Sequence, residues 1–318
     1  MKCIICHNSD FEIISNKLRH DIKRRVIKCK KCKIVSLENP QEDKIDYTKS
    51  GYRQKYTAIV NQESSPKEFF NLQINFQRDR IERVKDLINK ESKVLEIGSS
   101  TGHFLESIKN DVAKVTGIEL DPNHAKFARE NCNLEIFEQP LEKIDFGDEK
   151  FDVIFMFQVF EHIQNPIEFL ENCKKIMNPN AEIYVEVPNI DDVLLSVYQS
   201  NSFKKRYYRL PHVYYYSKNT LEKMFDKAGF LGKSKTIQEY SLFNHINWVL
   251  TDKPQNSQID GYRSLNWKHD ANFEIENNLL KKWFEEKNNE YKQILEKNSI
   301  AEHVSFRGNI KGIEKYNL

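Results

Sequence analysis

Four cysteines near the start of the chain have the spacing of a metal-binding site. Cys3 and Cys6 form one C-x2-C pair, and Cys29 and Cys32 form a second pair after 22 intervening residues. Each pair places two thiolates on one tight turn, and two such turns complete a closed tetrahedral zinc site. Because four thiolates fill the coordination sphere, we expect a structural zinc ion, with the adjacent His7 as an alternative ligand. An iron–sulfur cluster and unrelated reduced cysteines are the other interpretations.

A second candidate site is a glycine-rich turn near residue 100. The apolar run at 94–97 leads into Gly98, and Gly102 follows four residues later, just before a helical stretch. Glycines permit a sharp turn and a close backbone approach, and the start of the helix presents free N–H groups to a ligand. The pattern predicts a nucleotide-binding turn, which several classes of nucleotide-binding protein share.

Two acidic residues and a missing glycine indicate which nucleotide this turn binds. Glu96 lies just before the turn, where a carboxylate favours the ammonium group of S-adenosylmethionine and repels the pyrophosphate of a dinucleotide. Glu119 follows the next apolar run at the spacing where an acidic residue bonds ribose hydroxyls. Ser100 stands between the glycines and no third glycine follows, so the G-x-G-x-x-G pattern of NAD enzymes is absent. These features favour S-adenosylmethionine.

The same segments resemble class I S-adenosylmethionine-dependent methyltransferases. Residues 94–104 are similar to motif I of that family, E/D-x-G-x-G-x-G, with Ser100 in place of the middle glycine. Residues 151–166 are similar to the family's fourth strand and following loop, which ends in E-H-x-x-x-P. Three shorter segments, at 185–189, 216–221 and 228–230, continue the resemblance in the family's order.

This resemblance implies where each part of the cofactor lies. In the family, the turn lines the methionine portion, and the acidic residue after the second strand, with its neighbour, lines the ribose and adenine. The loop after the third strand runs along the adenine edge, and residues after the fourth strand face the methyl group. The expected cofactor-binding residues are therefore Glu96, Gly98, Ser99, Gly102, Glu119, Leu120, Gln139, Leu141 and Gln158.

Candidate catalytic residues follow from the chemistry of methyl transfer. The reaction is an in-line displacement at the sulfonium methyl, so an enzyme must position an electron-rich atom and sometimes remove its proton. We expect neutral His162 to act as the base, with Glu161 orienting it or holding a substrate hydroxyl. His212 could close over the pocket, and Tyr56 could belong to a lid. The alternative is that residues 161–162 are a structural feature bonded to loop backbone.

Short apolar runs that alternate with helical stretches from Lys93 onward must position these residues. This alternation is typical of repeated βα units and predicts an α/β fold, a Rossmann-like, doubly wound, mostly parallel sheet. We expect a four-cysteine zinc module at 1–40, a linker, lid and first core helix at 41–92, and the cofactor-binding core at 93–235. A C-terminal α+β extension at 236–318 would complete the sheet and the acceptor pocket.

Punctuating residues and periodicity give further element predictions. Ser65 and Pro66 have the types preferred at the N-cap and first position of a helix. A helix ends at Gly229, and a long helix is expected at about 273–297. Two more strands are expected around 238–250 and 303–310.

Composition excludes some classes of protein. Hydrophobic residues make up 39% of the 318 residues, enough for a sizeable core, and a net charge of +2 gives no global indication of nucleic-acid or membrane binding. No apolar run approaches the roughly 18 residues of a membrane span, and none has the length of a signal peptide. We therefore expect a cytoplasmic chain, in which Cys132 and Cys173 are buried core thiols.

The acceptor is expected to be a small molecule. The four-cysteine module and the C-terminal extension make the chain similar to zinc-containing sugar C-methyltransferases, which act on nucleotide-linked deoxysugars or surface-glycan precursors. In those enzymes a histidine and a glutamate near the methyl group assist proton abstraction. The resemblance implies a nucleotide-linked sugar or glycan precursor as acceptor and no nucleic-acid partner.

Two rival functions remain at the level of sequence. Nine basic residues between 17 and 33 could bind RNA, which would make the chain an RNA methyltransferase, although no N/D-P-P-Y/F motif is present. A non-catalytic scaffold with a vestigial pocket is the other, and the intact Gly98, Gly102 and Glu119 argue against it.

Overall fold

Two β-sheets and eleven α-helices organise the described part of the chain. The computed structural model describes residues 1–40, 45–48, 65–255, 257–262, 267 and 270–312. The strands are β1 (Phe11–Lys17), β2 (Lys23–Cys29), β3 (Val35–Leu37), β4 (Lys93–Ile97), β5 (Lys114–Ile118), β6 (Glu135–Phe137), β7 (Phe151–Phe157), β8 (Met177–Pro188), β9 (Tyr214–Tyr215), β10 (Phe230–Ile237) and β11 (His303–Ile310). The helices are α1 (Pro66–Gln73), α2 (Gln77–Val84), α3 (His103–Ile108), α4 (Pro122–Cys132), α5 (Pro166–Lys175), α6 (Val193–Ser196), α7 (Asn201–Tyr207), α8 (Lys218–Lys227), α9 (Leu242–Thr251), α10 (Gln258–Tyr262) and α11 (Glu274–Lys297).

The larger sheet has seven strands in the order β10-β11-β8-β7-β4-β5-β6. The five strands β4 to β8 are parallel to one another, whereas β11 is antiparallel to both of its neighbours, β8 and β10. The predicted Rossmann-like, mostly parallel sheet is confirmed. Because β4, β5 and β7 are parallel neighbours, their carboxyl ends meet at one edge, where ligands bind in open α/β sheets.

The smaller sheet joins the N-terminal segment to the rest of the chain. Its order is β1-β2-β3-β9, and β9 comes from the polypeptide after β8. Val35 pairs with Tyr215 and Ser36 with Tyr214. Buried residues of the N-terminal strands share one hydrophobic cluster with β7 and β8. The N-terminal segment therefore packs against the larger sheet rather than standing apart from it.

The entry into the core helices follows its sequence signals. Ser65 Oγ accepts a hydrogen bond from Glu68 N at 3.2 Å, and Glu68 Oε2 accepts one from Ser65 N at 2.8 Å. These two bonds form a capping box, with Pro66 at the first helical position. A 3₁₀ turn at Ile74–Phe76 separates α1 from α2.

The strand predicted around 238–250 is wrong. The strand in this region, β10, ends at Ile237, and helix α9 occupies Leu242–Thr251 with Ser241 as its N-cap. Asn244, His245 and Trp248 are its buried residues, and their separation of three to four positions is helical. The other two C-terminal predictions are confirmed by β11 and α11. In the described part of the chain, no helix combines the length and apolar character that crossing a membrane requires.

Candidate active site

The glycine-rich turn lies between the end of β5 and the loop after β7. Backbone N–H groups of Gly98 and Ser99 both donate to the carbonyl of Ile118, at 2.7 and 2.9 Å. Gly98 has φ of +79°, and a Cβ atom there would lie 2.3 Å from Val159 Cγ2. Both the backbone conformation and the lack of space require glycine at this position.

Ser100 adopts a backbone conformation that glycine adopts readily. Its φ is +52°, in the left-handed region that costs energy for a residue with a side chain. Two bonds hold it there: its N–H donates to Glu119 Oε2 at 2.7 Å, and its Oγ lies 3.0 Å from His124 Nδ1. The departure from the family motif therefore leaves the turn intact.

Glu119 connects this turn to the end of β5. Its side chain is buried, and each carboxylate oxygen accepts one backbone hydrogen bond, from Ser100 N and from Asp121 N, both at 2.7 Å. These two bonds hold the carboxylate at the carboxyl end of β5, beside the glycine-rich turn. The geometry suits the recognition of a ribose.

Glu96 is a buried carboxylate beside the same turn. It is 2% exposed, and among the described residues its Oε2 has no hydrogen-bond partner. Burial raises the pKa of Glu96 to about 8, against the opposing effect of the nearby Arg80 charge. Ser99 Oγ is likewise buried with no hydrogen-bond partner in the described chain. A cationic amine bound beside Glu96 would favour the ionised carboxylate and supply the donor that Oε2 lacks, so these groups fit such a ligand.

Arg80 is a site residue that the sequence analysis missed. Its guanidinium carbon lies 4.3 Å from the centroid of the Phe157 ring, and its Nε lies 3.9 Å from Glu186 Oε2. It stands on α2, close enough to Glu96 to affect that carboxyl's pKa. A cation near the turn could bind a ligand carboxylate. Its polar neighbours at 77–80 resemble an ordinary solvent-facing helix turn, so the sequence carries no signal for this role.

The remaining expected cofactor residues follow the ends of β5, β6 and β7. Leu141 is buried in a 3₁₀ turn, Leu120 is partly buried and Gln139 is exposed. Gln158 is partly buried with φ of +58°, and its N–H donates to Glu186 O at 2.8 Å. Their assignment to cofactor binding stays a prediction.

Glu161, His162 and His212 meet in one cluster, hereafter the Glu–His cluster. Glu161 Oε1 lies 3.7 Å from His162 Nε2 and 3.8 Å from His212 Nε2. Glu161 is 1% exposed, and neither of its oxygens has a hydrogen-bond partner in the described chain. Burial raises its pKa to about 8, with Arg209 acting in the opposite direction. A proton is therefore held at this carboxyl near neutral pH.

The two imidazoles of the Glu–His cluster have different roles. His162 Nδ1 lies 2.9 Å from Pro211 O, which only accepts, so Nδ1 carries the proton and Nε2 keeps a basic lone pair. Arg209 Nε donates to His212 Nε2 at 2.9 Å, and burial, then Arg209 and His162, lower the pKa of His212 well below its usual value. The imidazole of His212 is therefore neutral, and Arg209 holds it in place.

The two ring nitrogens of His162 have different neighbours. The ring of His162 is oriented by the Pro211 carbonyl, while Glu161 lies beside the opposite nitrogen. Tyr47 OH lies 3.2 Å from His162 Nδ1. The expected lid residue Tyr56 lies outside the described residues.

The four N-terminal cysteines converge on one point. Cys3 Sγ lies 3.4 Å from Cys32 Sγ, and Cys6 Sγ lies 3.5 Å from Cys29 Sγ, with all four sulfurs within 4.8 Å of one another. Tetrahedral zinc, with Zn–S bonds of about 2.3 Å, needs sulfurs about 3.8 Å apart. The set fits such an ion. His7 Nε2 instead lies 2.8 Å from Lys227 Nζ.

Comparison with known proteins assigns the central part of the chain to a family. Residues 71–232, half of the chain, match the family model described as a methyltransferase domain. The chain belongs to this family. The methyltransferase domain thus contains the glycine-rich turn, Glu119 and the Glu–His cluster, whereas the four cysteines precede it.

Relatives of the methyltransferase domain differ in what their names say they act on. An uncharacterized protein of Methanocaldococcus jannaschii is 26% identical over 42% of this chain and 62% of its own length. A ubiquinone biosynthesis O-methyltransferase of Glaesserella parasuis is 31% identical over 30% of this chain and 45% of its own length. A tRNA U34 carboxymethyltransferase of Campylobacter curvus is 27% identical over 38% of this chain and 42% of its own length. The chain thus spans about half the length of these relatives.

A solved methyltransferase structure is also similar to this chain. The crystal structure of a SAM dependent methyltransferase from Archaeoglobus fulgidus has a TM-score of 0.47 and 16% identity, and the match covers 74% of this chain and 94% of that one.

Proposed function

We propose that this protein is an S-adenosylmethionine-dependent methyltransferase acting on a small polar acceptor, a nucleotide-linked sugar or surface-glycan precursor. The observation that carries the proposal is the pair of buried carboxylates, Glu96 and Glu119, on either side of the Gly98 turn. Glu96 has an orphaned oxygen suited to an ammonium group, and Glu119 is held by two backbone bonds after β5, where an acidic residue can accept from ribose hydroxyls.

S-adenosylmethionine, when bound, supplies an electrophilic methyl group on a sulfonium. Glu96 would hold its ammonium and Arg80 its carboxylate, while Gly98 permits the close approach of the backbone. On the acceptor side, His162 Nε2 takes the proton from the attacking hydroxyl or carbon. Glu161, protonated near neutral pH, would donate a hydrogen bond to the acceptor and stabilise its developing charge.

We further propose that the four cysteines bind a structural zinc ion. Their sulfur spacing supports tetrahedral coordination. Burial raises the pKa of Cys29, but backbone groups of Cys32 and Lys31 and the side chains of Cys6 and Asn8 lower it to about 6, whereas burial raises the pKa of Cys3 and of Cys32. The ion would stabilise β1–β3 and so the strand pairing with β9.

RNA is the second candidate acceptor because a relative is named for tRNA. The basic residues at 17–33 support it less than their number suggests. Lys17, Arg25, Lys28 and Lys30 each lie within 4.0 Å of a carboxylate oxygen. A segment whose positive charge is partly neutralised binds a polyanion such as RNA weakly. This favours the small acceptor over RNA.

A methyl-transfer assay tests the acceptor class. Protein is incubated with methyl-labelled S-adenosylmethionine and, in parallel, with a panel of nucleotide-linked sugars and with transcribed tRNA. We expect label in a nucleotide-linked sugar, about 100-fold less with His162→Gln, and no change with Glu130→Gln on the exposed face of α4. Label in tRNA alone would replace the sugar proposal with the RNA one.

A further inference from the structure

Two carboxylates and a histidine meet where the C-terminal strands join the larger sheet. Glu239 follows the carboxyl end of β10, and Glu302 and His303 lie where β11 begins. His303 pairs with Pro188 of β8 and with Ile237 of β10. Because β11 is antiparallel to both of these strands, β8 and β10 run in the same direction. The three residues therefore lie at the carboxyl edge of the sheet, the edge that also carries the glycine-rich turn.

The potential ligand atoms of these three residues, hereafter the C-terminal cluster, lie close together. His303 Nδ1 lies 3.4 Å from Glu302 Oε1 and 3.8 Å from Glu239 Oε2, and one ligand atom from each residue lies within 4.8 Å of the other two. A divalent metal ion with bonds of about 2.1 Å places neighbouring ligand atoms about 3.0 Å apart in octahedral geometry and about 3.4 Å apart in tetrahedral geometry. The cluster is therefore close in size to the coordination sphere of one such ion.

Two atoms of the C-terminal cluster are buried without hydrogen bonds. Glu302 is 5% exposed, and in the described chain neither its Oε1 nor His303 Nδ1 has a hydrogen-bond partner. The other oxygen, Glu302 Oε2, accepts from Gln238 Nε2 and from Tyr240 N, both at 3.0 Å. These two bonds orient the carboxylate, and they leave its second oxygen, beside the imidazole, available to a ligand.

Glu239 is also oriented by protein donors. Arg83 Nη2 donates to its Oε1 at 2.7 Å, and Tyr262 OH donates to its Oε2 at 3.3 Å. Arg83 Nε lies 3.4 Å from Oε1 of the buried Glu186, so one guanidinium is shared between two carboxylates. Carboxylates that bind metals are typically hydrogen-bonded by neighbouring groups in this way. The side chains of Glu239 and His303 are partly exposed, which gives an ion access from solvent.

The Glu–His cluster does not offer three free ligand atoms. It also brings a buried carboxylate close to two imidazoles. There, however, Arg209 Nε donates to His212 Nε2 at 2.9 Å and uses the lone pair that a metal ion needs. In the C-terminal cluster, His303 Nδ1 has no such donor among the described residues. The C-terminal cluster is therefore the better candidate for a metal site.

We infer that Glu239, Glu302 and His303 bind a divalent transition-metal ion. Two carboxylate oxygens and one imidazole nitrogen suit Mn²⁺, Fe²⁺ or Zn²⁺ better than Mg²⁺ or Ca²⁺, which take oxygen ligands. Three protein ligands leave a coordination position for water or another oxygen ligand, whereas four thiolates close a site completely. This metal site is separate from the four N-terminal cysteines, and it does not rest on the proposed function.

Titration of the full chain with Mn²⁺, followed by electron paramagnetic resonance, tests the inference. Thiolates bind Mn²⁺ weakly, so the four cysteines do not compete for it. We expect the signal of free Mn²⁺ to fall as about one ion binds per chain, and pulsed spectra to show coupling to a directly bound imidazole nitrogen.

Three variants assign the ligands. Glu302→Gln keeps an acceptor for the two donors at Oε2 but should weaken Mn²⁺ binding at least about tenfold. His303→Gln should remove the nitrogen coupling. The matched control is Glu182→Gln, which removes a carboxylate paired with Arg307 at 2.7 Å across the same two strands, β8 and β11. It should bind Mn²⁺ as the unaltered protein does.

Either of two results would overturn the inference. If folded protein left the signal of free Mn²⁺ unchanged, Glu302 and His303 would be an internal pair with no metal. If Glu302→Gln and His303→Gln both kept the affinity and the nitrogen coupling, the ion would lie elsewhere, and Glu161→Gln in parallel would show whether it lies at the Glu–His cluster. Circular dichroism of each variant verifies its fold, so that lost binding reflects a lost ligand.

Discussion

At the scale of single residues, the site depends on groups held in costly states. Ser100 has a left-handed backbone, which a glycine such as Gly98 in the same turn adopts without cost, and Glu96 and Glu161 are carboxyls buried without full hydrogen bonding. Such features persist only where surrounding structure enforces them, and they concentrate at functional sites. The sequence predicted three of these four positions from motif spacing. It did not predict Arg80, whose relation to Glu96 exists only after α2 packs against the sheet.

Gly98→Ala should destabilise the protein by about 3 kcal/mol, because the new Cβ meets Val159 and the left-handed backbone is strained. Gly147→Ala is the matched control: φ is +56° there, but nothing lies within 4 Å of the new Cβ. It should cost about 1 kcal/mol. Urea unfolding of both variants measures the difference, and equal costs would show that the turn does not need the space at Gly98.

Glu161→Gln should become increasingly stabilising as pH rises. With a folded pKa of about 8 against an ordinary value near 4.5, folded Glu161 holds a proton that the unfolded chain releases. The free energy of unfolding therefore falls between pH 4.5 and 8, by roughly 1 kcal/mol per pH unit from this group. Glutamine removes this loss. Denaturation at pH 5 to 9, with exposed Glu142→Gln as control, measures it; a difference from unaltered protein that is constant with pH would contradict it.

At the scale of elements, strong periodicity was easy to interpret and short or mixed segments were not. The five parallel strands stand in the sequence as apolar runs because both of their faces are covered. Strand β9 has only two residues, and its partner β3 is far away in sequence, so no local pattern shows it. Helix α9 differs from the predicted strand because its apolar Ile246, Val249 and Leu250 are exposed while polar residues are buried, so hydrophobicity does not mark the buried face of the helix.

The cysteine cluster makes a prediction at this scale. Purified protein should contain about one zinc ion per chain, and Cys29→Ser should lose it and melt at a lower temperature, since β1–β3 lose the ion that stabilises them. Cys132→Ser, a buried thiol in α4, should keep the zinc. Metal analysis with thermal melting gives both values. Stoichiometric zinc in Cys29→Ser would contradict the assignment.

At the scale of the whole molecule, the question is how the smaller, N-terminal sheet serves the methyl-transfer site on the larger sheet. It does so only if the N-terminal segment contributes to acceptor binding. Strand pairing between β3 and β9 fixes the N-terminal sheet relative to His212, which lies just before β9. The family match ends within β10, at residue 232, and does not include the four N-terminal cysteines, so the arrangement of these parts comes from the structure alone. The order of these parts is predictable from the sequence, but the pairing that joins them is not, because that pairing is long-range.

The central claim is that the turn at Gly98 binds S-adenosylmethionine. Calorimetric titration of the zinc-loaded protein should give one site of micromolar affinity for S-adenosylmethionine and S-adenosylhomocysteine. Glu119→Ala should weaken both at least about tenfold, because the ribose loses its acceptor and Ser100 N its partner, while Glu130→Gln should not. If correctly folded protein gave no heat of binding with either compound, the claim would be contradicted. The chain would then have the family's fold but would not bind S-adenosylmethionine.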